Sequence, residues 1–275
     1  MMDPASKQQE PPPDDLADRV LAVVIPAFNE ERTIATVLKQ VDALPCVREI
    51  IVVDDASTDR TASIVEAFSS PRLRLVRQSS NQGKTAAVRR GVAQVASPLC
   101  IVQDADLEYD PNEIPSVIQP LVNNKADVVY GSRFLVSRAS RVLYFYHYLA
   151  NKMLTFLSNL LTNVNMTDIE TCYKAFRTPI LQQIPLSSKG FGMEVEITAM
   201  VCQTKARIFE VPISYYGRTY EEGKKIGFRD AMDAVWYILY YNIGRRRTRA
   251  ARRYVQSING WLDELKASEQ TTKAS

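Results

Sequence analysis

The chain has 275 residues, 46% of them apolar and 24% charged, with a formal net charge of +3. That length buries one substantial core, and so small a positive excess gives no whole-protein attraction to nucleic acid, because the arginines crowd the segment after Gly244. Cys46, Cys100, Cys172 and Cys202 are scattered without paired spacing and His147 is the single histidine, which argues against a disulfide framework or structural zinc and fits a reducing compartment.

Residues 1–19 are polar and proline-rich. They read as a disordered leader and lack the basic-then-apolar order of a signal peptide. From Val20 short β-branched runs alternate with amphipathic stretches, which predicts an α/β fold with a mostly parallel twisted sheet and flanking helices. The predicted strands are VLAVVIP at 20–26, EIIVVD at 49–54, RLRLVR at 72–77, PLCIVQD at 98–104 and DVVYG at 127–131. Between the first two, Ile34, Val37, Leu38 and Val41 share one helical face.

Beyond Arg133 the pattern becomes a long amphipathic stretch from Arg141 to Leu161, a helix near Met193 to Lys205 and a strand in ARIFEVPISYY at 206–216. A second apolar-faced helix, Arg229 to Ile243, precedes the basic run RRRTRAARR. The expected organisation is a catalytic domain over 20–228, an amphipathic and basic segment over 229–254, and a polar tail over 255–275. No apolar run reaches the roughly 18 to 20 residues that span a bilayer.

Ligands of open α/β sheets bind beyond the carboxyl ends of the strands, and polar residues gather there: Asn29 and Glu30, Asp54 and Asp55, Asp104 and Asp106, and Arg133. Asp104, Asp106 and Glu108 in DADLE offer hard oxygen ligands for Mg²⁺ or Mn²⁺, with substrate phosphates completing the shell. Such a cation stabilises a departing nucleoside diphosphate as a Lewis acid. Asp54 and Asp55 can accept hydrogen bonds from a nucleobase or ribose, whereas Asp59 reads as an acid near a helix N-terminus. In NQGKT the Walker spacing fails, since Gln78 stands where the first glycine belongs. Lys84 either meets an anion at a helix start or belongs to a structural turn.

A phosphate group is an anion near neutral pH and as a nucleophile needs no strong base, only cations to seat it. Arg133, Arg218, Lys224 and Lys225 are the candidates, with the two arginines favoured for paired hydrogen bonds to phosphate. Asp168 either orients Arg133 or Lys84, contacts the sugar, or acts as a base toward a hydroxyl.

PAFNE at 26–30, VVDDASTD at 52–59, NQGK at 81–84 and DADLE at 104–108 together resemble family 2 glycosyltransferases. GSRF at 131–134, Thr167 with Asp168, CYKAFR at 172–177 and the run from Tyr215 resemble the dolichyl-phosphate mannose synthase branch and its polyprenyl-phosphate hexosyltransferase relatives. The resemblance spans about Val20 to Ile243. It implies a GT-A (Rossmann-like) fold and inverting transfer of a hexose from GDP-mannose or UDP-glucose to a polyprenyl phosphate, peripherally on the cytosolic face of a membrane. It places Pro26, Asn29, Glu30, Asp54, Asp55, Lys84 and Asp104 against the donor, and the cation on Asp104, Asp106 and Glu108. Glu108 departs from the glutamine common in the family, and Thr85 from a glycine.

A polyprenyl phosphate lies in lipid, so the amphipathic stretches at 141–161 and 235–243, followed by arginines, suit a membrane surface. Packing of both on the core, with a solvated basic run, is the other reading. A soluble-sugar or protein-hydroxyl acceptor, or a catalytically silent homologue, are the rival functions.

Overall fold

The computed structural model describes residues 20–135, 144–188, 190, 192–217 and 228–274. Seven strands form one sheet in the order β3-β2-β1-β4-β6-β5-β7. They are β1 (Leu21–Ala27), β2 (Val47–Asp54), β3 (Leu73–Arg77), β4 (Leu99–Val102), β5 (Val128–Ser132), β6 (Lys174–Arg177) and β7 (Ile208–Pro212). All seven residues of β1 are buried, as expected for a central parallel strand covered on both faces.

β6 is the element the sequence reading lacks. It runs antiparallel to both β4 and β5 while the other pairs are parallel. Its four residues, KAFR, begin with a lysine and carry no β-branched run. The reversal matters for the site, because the amino end of β6 lies at the sheet edge where β4 and β5 have their carboxyl ends. The loop preceding β6, which holds Asp168 and Cys172, therefore reaches the same crevice.

The helices α1 (Ile34–Asp42), α2 (Thr61–Ala67), α3 (Lys84–Val92) and α4 (Ile114–Val122) cover the sheet, and α1 buries the four residues whose spacing marks its inner face. α3 rests directly on the strands: a methyl on Gly91 would stand 2.5 Å from Val24 Cγ1 and 2.9 Å from Val53 Cγ2. Gly91→Ala is expected to cost about 1–3 kcal/mol through overpacking, measured as a lower Tm. That close packing fixes where the first residue of α3, Lys84, sits.

After β5 come α5 (Phe145–Thr162), the short α6 (Thr178–Gln182), the wholly buried α7 (Gly192–Val201), α8 (Phe228–Leu239) and α9 (Arg249–Ala274). The polar tail expected over 255–275 is instead the body of α9. Ala251, Tyr254, Ile258 and Leu262 recur on one helical face and are buried, while Arg177 pairs with Glu269 and Lys205 with Asp263. The many polar residues occupy the other face, which hides the stripe in the composition. No described helix is long and apolar enough to cross a membrane.

Candidate active site at the carboxyl ends of the strands

β1, β2 and β4 deliver the donor-side candidates to one edge. Pro26 is buried inside β1, two residues past the last β1–β4 pair at Val24 and Val102. The exposed residues at that tip are Phe28 and Asn29. Asn29 adopts φ +56°, and its Oδ1 accepts from Thr58 N at 2.8 Å while its own N–H donates to Ser57 Oγ. Glu30 N donates to Thr61 Oγ1 and its carboxylate accepts from Thr33 Oγ1. Asp59 accepts from Glu31 N and from both the N–H and hydroxyl of Thr61, the helix-start role expected of it.

The acids at the end of β2, expected to accept hydrogen bonds from a nucleobase or ribose, are interior groups. Asp55 Oδ1 accepts from Gln78 Nε2 and Gln82 N, and its Oδ2 from Gly83 N, all at 2.7–2.8 Å. It braces the loop leading into α3, which explains why an acid at this position need not meet a ligand. Asp54 is fully buried, with Oδ1 accepting from Ser57 N. Its Oδ2 has no hydrogen-bond partner and lies 3.8 Å from Arg77 Nε.

Asp104, Asp106 and Glu108 are partly exposed while Ala105 and Tyr109 between and behind them are buried, so the three acids face the crevice. Leu107 at φ +62° turns the chain, and Asp106 Oδ1 accepts from Glu108 N at 3.1 Å. Lys84 Nζ sits 2.8 Å from Asp104 Oδ1 and 3.1 Å from Oδ2, with Glu194 at 3.5 Å and Cys172 Sγ at 3.6 Å. Burial pulls the lysine's pKa down, but the charges of Asp104 and then Glu194 drive it well above the usual value. Glu108 Oε2 accepts from Tyr215 Oη at 2.8 Å. Among the described residues no three acids, histidines or cysteines converge into a ready-made cation site. The donor set nevertheless suits a hard cation that takes most of its shell from water and substrate phosphate, and an ammonium already stands on Asp104 as a cationic stand-in.

On the other side of the crevice Arg133 Nε and Nη2 form a two-point bridge to Asp168 at 2.7 and 2.8 Å, and Nη2 also donates to Asn151 of α5. Asp168 is fully buried. Of the roles left open for it, the geometry supports orienting Arg133. The same bridge corrects the expected paired grip of Arg133 on phosphate, since Nε and Nη2 are already engaged. Arg218, Lys224 and Lys225 lie outside the described residues.

Beneath this pair lies a buried charged cluster that the sequence does not announce. Lys174 donates to the carbonyls of Ile169 and Thr171, and burial lowers its pKa. Glu170 is pushed up to about 8 by burial and then by Glu194. Burial also raises the Cys172 thiol, leaving it protonated and unreactive. Lys152, beside Asn151 on α5, lies 4.6 Å from the Phe134 ring centroid and makes no ion pair among the described residues. Its only signal in sequence is a single cation in an apolar stretch.

The profile of glycosyl transferase family 2 matches residues 22–184, the span that builds β1 to β6 and both halves of this crevice. The chain belongs to glycosyltransferase family 2. This glycosyltransferase is 28% identical to a dolichol-phosphate mannosyltransferase of Pyrococcus furiosus over 212 residues, covering 75% of this chain and 59% of that protein. It is 30% identical to an undecaprenyl-phosphate mannosyltransferase of Micrococcus luteus, covering 76% and 88%. It thus spans about three fifths of the Pyrococcus protein and most of the Micrococcus one. Among solved structures, glucosyl-3-phosphoglycerate synthase of Mycobacterium tuberculosis in complex with Mn²⁺, UDP and glucosyl-3-phosphoglycerate superposes with a TM-score of 0.62 at 20% identity, covering 86% of each chain. That likeness establishes the GT-A fold for this glycosyltransferase.

Proposed function

We propose that this glycosyltransferase moves a hexose, with inversion, from a nucleoside-diphosphate sugar to a polyprenyl phosphate at a membrane surface. The carrying observation is the inverted amphipathicity of α5. Its buried face holds Leu154, Thr155 and Ser158, whereas Phe145, Leu149, Met153, Phe156 and Leu160 form an outward stripe on successive turns, with Phe156 69% exposed. The same helix reaches Arg133 through Asn151. An apolar face toward lipid and a polar contact toward the crevice, on one helix, suit an acceptor whose tail is in the bilayer and whose phosphate is not.

α8 extends the face. Ile238 packs inward at 0% exposure while Trp236 is 63% exposed, followed by Tyr240 and Ile243 and by exposed Arg246, Arg249, Arg252 and Arg253. Aromatic side chains with arginines behind them suit the interface of an anionic leaflet. The two mannosyltransferase relatives, whose names specify dolichol and undecaprenyl phosphate, support the same acceptor class.

On the donor side Lys84 and the amino end of α3, which no side chain caps, face the diphosphate. Asn29, exposed at the tip of β1, approaches the nucleoside. Asp104, Asp106 and Glu108 would hold Mg²⁺ or Mn²⁺, which supplies Lewis-acid stabilisation of the leaving diphosphate. An oxygen of the acceptor phosphate attacks the anomeric carbon as the bond to the diphosphate breaks, so no residue need take a proton from the nucleophile. Lys152 and Arg133 supply positive charge where that phosphate arrives, with Arg218 and Lys224 as further candidates.

The test is product formation from GDP-mannose and UDP-glucose with a short polyprenyl phosphate and Mn²⁺, beside sedimentation with anionic vesicles. Lipid-linked hexose and vesicle binding are expected. Transfer only to soluble sugars or to protein, with the protein left in the supernatant, would overturn the reading.

A further inference from the structure

Tyr215 stands between the two halves of the site. Its hydroxyl donates to Glu108 Oε2 at 2.8 Å, and its ring lies 5.1 Å from the Arg133 guanidinium carbon. The ring packs at 5.2 Å on Tyr109, which packs at 4.9 Å on the fully buried Tyr173. An aromatic row rooted in the core thus fixes its position. The backbone on both sides is pinned to the same acidic loop: Ser214 N and Oγ donate to Glu113, and Tyr216 N donates to the Glu108 carbonyl. Gly217 leaves room for this seat, since a Cβ there would fall 2.5 Å from Tyr215 Cε1.

A carboxylate only accepts hydrogen bonds, so its direction is set by whatever donates to it. Tyr215, beyond β7 and about a hundred residues away in sequence, donates to Glu108 and also forms the aromatic face under Arg133. We infer that Tyr215 is a positioning residue that orients Glu108 toward the cation and seats Arg133 for the acceptor phosphate, coupling the two substrate sites. This rests on the reading given under Proposed function.

The experiment measures Mn²⁺ binding by loss of the free-ion EPR signal in the presence of GDP or UDP, for the parent, Tyr215→Phe, Glu108→Gln and the double variant. Groups that orient a metal ligand typically change affinity by about tenfold or more, so Tyr215→Phe is expected to weaken Mn²⁺ about tenfold. In the Glu108→Gln background the same change should shift it by less than about twofold, because the oriented carboxylate is gone. Tyr215→Leu, which also removes the aromatic face, should raise the acceptor KM several-fold where Tyr215→Phe does not. Parent-like Mn²⁺ affinity in Tyr215→Phe, or a full loss that persists beside Gln at 108, would overturn the inference alone. A parent that binds no Mn²⁺ with nucleotide would overturn the cation reading and this inference with it.

Discussion

Asp106→Ala is expected to lower sugar transfer about a thousandfold while leaving the protein folded. The loss follows from the stabilisation at stake: a cation beside a departing diphosphate contributes several kcal/mol, and each 1.36 kcal/mol is about a factor of ten in rate. The structural cost is small by comparison. Asp106 is partly exposed, and losing the hydrogen bond it accepts from Glu108 N costs about 1 kcal/mol in the manner of a lost cap. Turnover of nucleotide sugar and Tm, measured side by side, separate these effects. A Tm within a few degrees of the parent together with parent-like turnover would remove Asp106 from the chemistry.

The donor half of the crevice was legible because each chemical residue follows a buried apolar run that can only be a central strand, as with Asp104 after LCIV. What the sequence does not carry is the use to which a polar side chain is put. Asp55, expected to meet a nucleobase or ribose, also accepts from the loop amides of Gln82 and Gly83, a bracing role that no spacing announces. Periodicity likewise marks the stretches at 141–161 and 235–243 as amphipathic without saying which side faces in. Leu154 and Ile238 go to the core, while Phe156 and Trp236, equally apolar, point outward. Glu194, Lys152 and Tyr215 escaped notice because their meaning lies in contacts across the fold, through an antiparallel β6 too short and too polar to be read as a strand.

Asp168→Ala is expected to be the most destabilising single change at the site, costing about 3–5 kcal/mol, since removing one partner of a buried pair leaves the other charge uncompensated. Arg133 is nearly as buried as its partner, at 10% side-chain exposure against 0%, so water cannot replace the carboxylate. Burial alone would raise the Asp168 pKa, but the Arg133 charge and its hydrogen bonds hold it below the ordinary 3.8. With the folded value depressed, the pair's contribution is complete above the ordinary carboxylate value and is lost as pH falls through the depressed one. The acid limb of the parent's stability profile should therefore be shallower in Asp168→Ala, which has already lost that contribution at neutral pH. Replacing both partners, in Arg133→Met with Asp168→Leu, should restore part of the stability because no orphaned charge remains, yet it should restore no transfer, since the guanidinium beside Tyr215 and Asn151 is gone. Stability regained without activity separates the charge that holds the site together from the charge that works in it; equal destabilisation of single and double variants would mean that the pair is not coupled as its geometry requires.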